Sequence, residues 1–261
     1  MPETIELTEN RAMYQPFGKQ VTAIFRGRPD DWYCGQEKTE REKVFTRWGE
    51  DLRLGRVREV FCLKILANST IVTQPSHPHP TPGEIKFYLS VETEGLCLRQ
   101  GQAVIMSTAD CPTLLLFDRV RKLLVVAHAG RDSLIDLGYL TTGIRSPNRH
   151  RFSIVDTIVE SLPASPSLGG PIKNPDELRT FGFGGIGPDH FLHPSDSGDK
   201  KYQLANRLLQ AFVIKNYGQH CLSGRRSEKI GRLNLHKIIR SQLEKYGLRY
   251  RHDSIDTAGD H

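Results

Sequence analysis

Two apolar runs separated by a short polar link stand out in the middle of the chain. Residues 113–117 read Thr-Leu-Leu-Leu-Phe and residues 123–127 read Leu-Leu-Val-Val-Ala, with the polar link 118–121 between them. Short apolar runs rich in branched residues and bounded by polar ones predict strands, here joined as a hairpin. Further strands are predicted at residues 20–26, 60–66, 70–73, 85–91 and 103–107. Apolar positions at helical spacing predict helices over residues 132–140, 153–160, 201–217 and 234–246. Two breaker-rich stretches, residues 75–83 (PSHPHPTPG) and 161–175 (SLPASPSLGGPIKNP), read as loops. Strands crowd the first half and helices the second, which predicts an α+β fold rather than an alternating parallel one. Neither loop coincides with a lasting change in composition, so a single domain over residues 1–261 is expected.

Composition narrows the class. With 261 residues, 38% hydrophobic and 25% charged, the chain can bury a large core without covalent staples. The longest apolar runs are four to five residues, far short of the roughly 20 a membrane span needs. The first thirteen residues carry Glu3, Glu6 and Glu9 and no apolar core, so no secretory signal is expected. Five cysteines (Cys34, Cys62, Cys97, Cys111 and Cys221) cannot all pair and form no CxxC unit, which excludes a disulfide scaffold and a zinc ribbon. A reduced, cytoplasmic setting follows.

The net charge of +6 is concentrated near the end of the chain. Nine basic residues (Arg225, Arg226, Lys229, Arg232, Lys237, Arg240, Lys245, Arg249 and Arg251) stand against Glu228 and Glu244, a local +7. Such a run suits phosphate or nucleic acid. It equally suits the solvated face of a helix, because Leu235, Ile238, Ile239, Leu243 and Tyr246 recur between the charges at helical spacing. No nucleic-acid-binding motif accompanies it, and nucleic acid is not the favoured partner.

The chemistry centres on the hairpin. If Phe117 pairs with Lys122 across the link, Cys111 falls directly opposite His128, with Cβ atoms roughly 5 Å apart. Such a pair serves as thiolate nucleophile and base, or as two ligands of one metal. The plain alternative is a buried structural cysteine beside a hydrogen-bonded histidine. A single-residue slip in register would put the two on opposite faces. Asp110 would orient Cys111 or His128, or simply end the strand. His77 and His79 in the proline-rich loop are candidates for a further ligand, although such loops also occur plainly exposed.

These residues resemble the laccase-domain proteins once called multicopper polyphenol oxidases, whose bacterial members include purine nucleoside phosphorylase-like enzymes and the peptidoglycan editing factor. The segment Ala109-Asp110-Cys111-Pro112, followed 17 residues after the cysteine by His128-Ala129-Gly130, is similar to the family signature. Glu94-Gly95-Leu96 looks like its Asp-Gly-Leu segment. Ile186-Gly187-Pro188 with Phe191 resembles a later one, and residues 234–247 resemble its closing helix. The likeness covers roughly residues 59–257, and the first 50 match poorly. Where the family has Trp and Arg after His-Ala-Gly, this chain has Arg131 and Asp132.

The resemblance implies a mixed β-sheet sandwich flanked by helices, as in the cytotoxic-necrotizing-factor-like cysteine hydrolase fold. It implies a zinc ion, with copper as a substitute, held by His77 (or His79), Cys111 and His128. It further implies catalytic roles for Cys111, His128 and Asp110, and substrate contacts from Gly130, Arg131 and Phe191, with Arg131 the cation for phosphate. The expected partners are a purine nucleoside and phosphate, and the expected chemistry is phosphorolysis or deamination. Three such ligands and three methionines in all offer no second copper site, so laccase chemistry is not expected. Two alternatives stay open. One is a cysteine-dependent hydrolase or amidase acting on peptidoglycan precursors. The other is a catalytically inactive binding relative, which the altered residues after Gly130 suggest.

Overall fold

The computed structural model describes residues 3–8, 11–26, 48–53, 55–66, 72–73, 85–108, 110–149, 151–161, 175–222 and 231–253. The loop at 75–83 with His77 and His79, most of the loop at 161–175, and the basic residues Arg225, Arg226 and Lys229 lie outside them.

The strands are β1 (Glu3–Thr8), β2 (Arg11–Lys19), β3 (Ala23–Arg26), β4 (Glu59–Lys64), β5 (Val72–Thr73), β6 (Lys86–Glu92), β7 (Gly95–Leu98), β8 (Gln102–Ile105), β9 (Thr113–Asp118), β10 (Leu123–His128), β11 (Leu178–Phe183) and β12 (Tyr250–His252). We label the later helices α1 (Arg131–Leu134), α2 (Leu137–Thr142), α3 (Ile154–Ser161), α4 (Lys200–Tyr217) and α5 (Leu235–Glu244). The fold is α+β, with a six-stranded mixed sheet in the order β12-β11-β9-β10-β7-β5 at its centre.

The unbroken apolar runs have a direct structural cause. Successive strand residues face opposite sides, and both sides of the central sheet are covered. Leu114, Leu116, Val125, Ala127 and Leu178 face the helices and meet Leu209, Val213, Ile238, Ile239 and Leu243. Leu115, Val126, Leu96, Leu98 and Phe181 face a second sheet of order β6-β4-β8, meeting Phe61, Leu63 and Tyr88. The far side of that second sheet buries Val60, Cys62, Phe87 and Ile105 against Leu52, with Trp48 packed on the same cluster. The strands β1, β2 and β3 form a separate antiparallel sheet, joined to the centre through Phe17 stacked on Phe117 at 5.5 Å.

The predicted helix over 132–140 is two helices. Ile135 is extended (φ −135°, ψ 123°), and the Asp136 carboxylate accepts the Tyr139 N–H at 3.0 Å to cap α2. The helix expected over 234–246 is α5, capped by Asn234, whose side chain accepts the Lys237 N–H. It buries Leu235, Ile238, Ile239 and Leu243 while Arg240 and Lys245 stay exposed. Of the basic run, Lys237, Arg240 and Lys245 thus belong to the polar side or the cap of a packed helix, while Arg232 and Arg249 flank it and Arg251 lies in β12.

The hairpin register differs from the expectation. Phe117 pairs with Leu124 and Thr113 with His128, so each partner is shifted by two positions. The cause is in the link: the Asp118 carboxylate accepts the N–H groups of Val120 and Arg121 at 2.9 and 2.8 Å. Asp118 is therefore the last residue of β9, paired with Leu123, and Lys122 turns through φ 56°. A shift of two keeps every side chain on its face. Cys111 consequently precedes β9 instead of lying directly opposite His128.

Candidate functional site

The site forms where β7, β9 and β10 end together. β10 runs between the other two, so His128 at its last position has a neighbour on each side. On the β7 side, the His128 N–H donates to the Glu94 carbonyl at 2.8 Å. On the β9 side, the next residue, Ala129, donates its N–H to the Pro112 carbonyl at 2.8 Å. Both contacts fix the backbone of His128 before its ring engages anything.

The ring completes the arrangement. His128 Nδ1 lies 2.7 Å from Glu94 Oε2, and the ring also hydrogen-bonds Cys111. A Cβ placed on Gly130 would stand 3.0 Å from Cys111 Sγ, 3.0 Å from His128 Nε2 and 2.7 Å from His128 Cε1. The sulfur and Nε2 therefore face one small volume that only the bare Cα of glycine leaves open. Pro112, next to the cysteine, is held from the far side by the Gly184–Gly185 turn. Gly185 has φ 114°, and a Cβ there would meet Pro112 Cγ at 2.8 Å. Ile186 donates its N–H to the Asp110 carbonyl at 2.8 Å.

Electrostatics follow from burial and pairing. Burial disfavours the charged form of His128, but the hydrogen bonds to Cys111 and Glu94 outweigh it and carry the ring up to about 9. Glu94 is buried, and burial raises its carboxyl despite the opposing histidine. Its second oxygen, Oε1, has no hydrogen-bond partner among the described residues.

The remaining sequence candidates are placed as follows. The carboxylate on the His128 ring is that of Glu94; Asp110 is exposed, and its backbone holds Ile186. Glu94 appeared in the sequence only as part of a resembling segment, and a lone buried acid beside a strand start gave no signal of its role. Arg131 opens α1 directly after Gly130. Its Nε and Nη2 donate to the two carboxylate oxygens of Asp132 at 2.6 and 2.9 Å, and its Nη1 donates to His193 Nε2 at 2.9 Å. Phe191 is half-buried and packs edge-on to the His193 ring, with centroids 4.6 Å apart. Beneath α1, the buried Arg149 donates to the Asp132, Ser133 and Phe152 carbonyls. Its Nε stands 3.4 Å from Asp136 Oδ2.

The donor chemistry suits zinc in part. With Nδ1 occupied by a carboxylate, His128 presents Nε2 as a ligand atom on the side of the Cys111 sulfur. Imidazole and thiolate are ligand types zinc takes, and a carboxylate behind the imidazole is its usual support. No group of three or more His, Cys, Asp and Glu placed to hold a metal exists among the described residues. A third ligand must come from elsewhere, and His77 and His79 lie outside that set.

Fold and site together define an α+β protein with a cysteine–histidine–carboxylate centre at the open end of a hairpin. Residues 54–146 match the family described as multi-copper polyphenol oxidoreductase laccase. That stretch holds Glu94, Cys111, His128, Gly130 and Arg131, so the likeness to the family falls on the site. Similar solved structures share the fold. The hypothetical protein YfiH of Bacillus licheniformis is 14% identical with a TM-score of 0.58, over 95% of this chain and 82% of that one. YlmD from Geobacillus stearothermophilus is 16% identical with a TM-score of 0.57, over the same shares. A Neisseria meningitidis protein of the DUF152 family model is 16% identical with a TM-score of 0.54, over 98% and 88%. No curated protein matches the sequence. Among the described residues no helix is long and apolar enough to cross a membrane.

Proposed function

We infer that the chain is a zinc-dependent enzyme acting on purine nucleosides, as a phosphorylase or an adenosine deaminase. The observation that carries the metal site is the His128 ring, turned by Glu94 so that Nε2 and the Cys111 sulfur face one volume beside Gly130. Cys111 and His128, completed by His77 or His79, would hold the ion. The substrate class rests on the laccase-domain resemblance. Bound zinc supplies Lewis acidity to a substrate oxygen or to water. Around it, Glu94 fixes the ring through Nδ1, Gly130 keeps room for the reacting atoms, and Arg131 is the cation nearest along the chain for phosphate. The four described cysteines are free, which suits the cytoplasm as the proposed compartment.

A second reading is favoured by the same triad of side chains. A cysteine, a histidine in contact with it and a carboxylate orienting that histidine are the parts of a thiol hydrolase. The deciding experiment is elemental analysis of protein purified without an affinity metal, alongside Cys111→Ala, with turnover of adenosine and inosine measured with and without phosphate. One zinc per chain that is lost in the variant, together with nucleoside turnover, supports the first reading. A metal-free chain whose activity stops on thiol alkylation overturns it in favour of the second.

A further inference from the structure

Arg131, which follows Gly130 in the chain, makes three side-chain hydrogen bonds to two partners that differ in kind. His193 is buried, with only 5% of its surface exposed. Its backbone is pinned at both ends: its N–H donates to the Gly231 carbonyl at 3.0 Å, and its carbonyl accepts from Gln210 Nε2 at 2.7 Å. A guanidinium can only donate, so His193 Nε2 accepts and the ring is neutral. Burial and the nearby Arg131 charge both depress its pKa, to about 4, in agreement. His193 is thus a fixed, uncharged brace on one side of the guanidinium.

Asp132 is the opposite case. It takes the Nε and Nη2 fork with both oxygens, the two-pronged geometry in which arginine binds a carboxylate or phosphate. Yet both side chains are 31% exposed, and an exposed pair of this kind contributes little. The Asp132 backbone is held separately, through its carbonyl, by Arg149. Its carboxylate can therefore swing away without disturbing α1. The guanidinium is fixed, while the anion on its fork is exchangeable.

We propose that Arg131, braced by His193, is the oxyanion receptor of this site, and that Asp132 occupies its fork until substrate phosphate displaces it. The inference rests on the phosphorolytic reading of the site, and it assigns His193 and Asp132 positioning and competing roles. The arrangement keeps the Arg131 charge neutralised while no substrate is bound and makes phosphate affinity the difference between two anions on one fork. It also accounts for the Arg131-Asp132 pair as a unit: an aspartate in that place is a built-in competitor.

The test is calorimetric titration of the purified full chain with inorganic phosphate. Asp132→Asn removes the competing charge, and phosphate binding is expected to tighten by about tenfold. Adding Arg131→Met to that variant is expected to abolish the gain. In the Asp132→Asn background, His193→Gln retains an acceptor for Nη1 and keeps the affinity, whereas His193→Leu loses most of it. Phosphate binding indifferent to Asp132→Asn, or a gain that survives Arg131→Met, overturns the proposal. The outcomes separate from those of the functional reading. Phosphate binding that responds as described without nucleoside turnover sinks only the latter. Phosphorolysis with a phosphate KM unmoved by Asp132→Asn sinks only the receptor.

Discussion

Glu94 Oε2 lies 2.7 Å from His128 Nδ1, and the same two residues are joined a second time through the Glu94 carbonyl and the His128 N–H. This double attachment fixes which ring nitrogen faces Cys111. It also gives the site a pH signature in the metal-free protein. His128 is raised from its ordinary 6.5 to about 9, so its contribution to stability is complete below about 6.5, declines above it, and is gone once pH has risen through about 9. Thermal unfolding of metal-free protein between pH 6 and 10 should show the midpoint falling over that window. Glu94→Gln, which keeps an acceptor but removes the charge, should flatten the fall.

Gly130 should tolerate no side chain. Gly130→Ala places a methyl group at 2.7 to 3.0 Å from the His128 ring and the Cys111 sulfur, and the ring or the sulfur must move. Overpacking of this kind costs about 1–3 kcal/mol. The sharper readout is the rate of Cys111 alkylation by iodoacetamide, which should change several-fold. An unchanged rate would place Gly130 outside the reacting volume.

Arg149 should be worth more to stability than any surface cation. Its side chain and that of Asp136 are each only 1% exposed, and removing one partner leaves a buried charge unpaired. Arg149→Ala is expected to cost about 3–5 kcal/mol in urea unfolding. Arg149→Met combined with Asp136→Asn should cost less than the two separate losses added together.

Metal removal should read directly on the cysteine. If zinc is held by Cys111 and His128, dialysis against a chelator opens Cys111 to alkylation, and reloading with zinc closes it again. Nucleoside turnover should fall and return in step. Alkylation rates identical before and after chelation would remove Cys111 from the ligand set.

Much of this protein was legible in its sequence, for local reasons. The runs at 113–117 and 123–127 were legible as strands because short apolar runs of branched residues bounded by polar ones are a local signal. The helix starting at Asn234 and the long helix ending at Tyr217 were legible because 3.6-residue spacing is local chemistry. Cys111, His128 and Gly130 were singled out by motif and spacing. The register was not fixed this way: two links of different length satisfy the same apolar pattern, and the Asp118 side chain chose between them by accepting two N–H groups of the turn. Nor could spacing show that Glu94, 34 residues before His128, is its partner, since that contact exists only because β7 and β10 lie side by side. The sequence by itself determined the hairpin strands, the later helices, the α+β class and the candidate cysteine and histidine. The tertiary structure decided which carboxylate orients the histidine and what holds Arg131, because those contacts depend on strand order and on side chains brought together from distant parts of the chain.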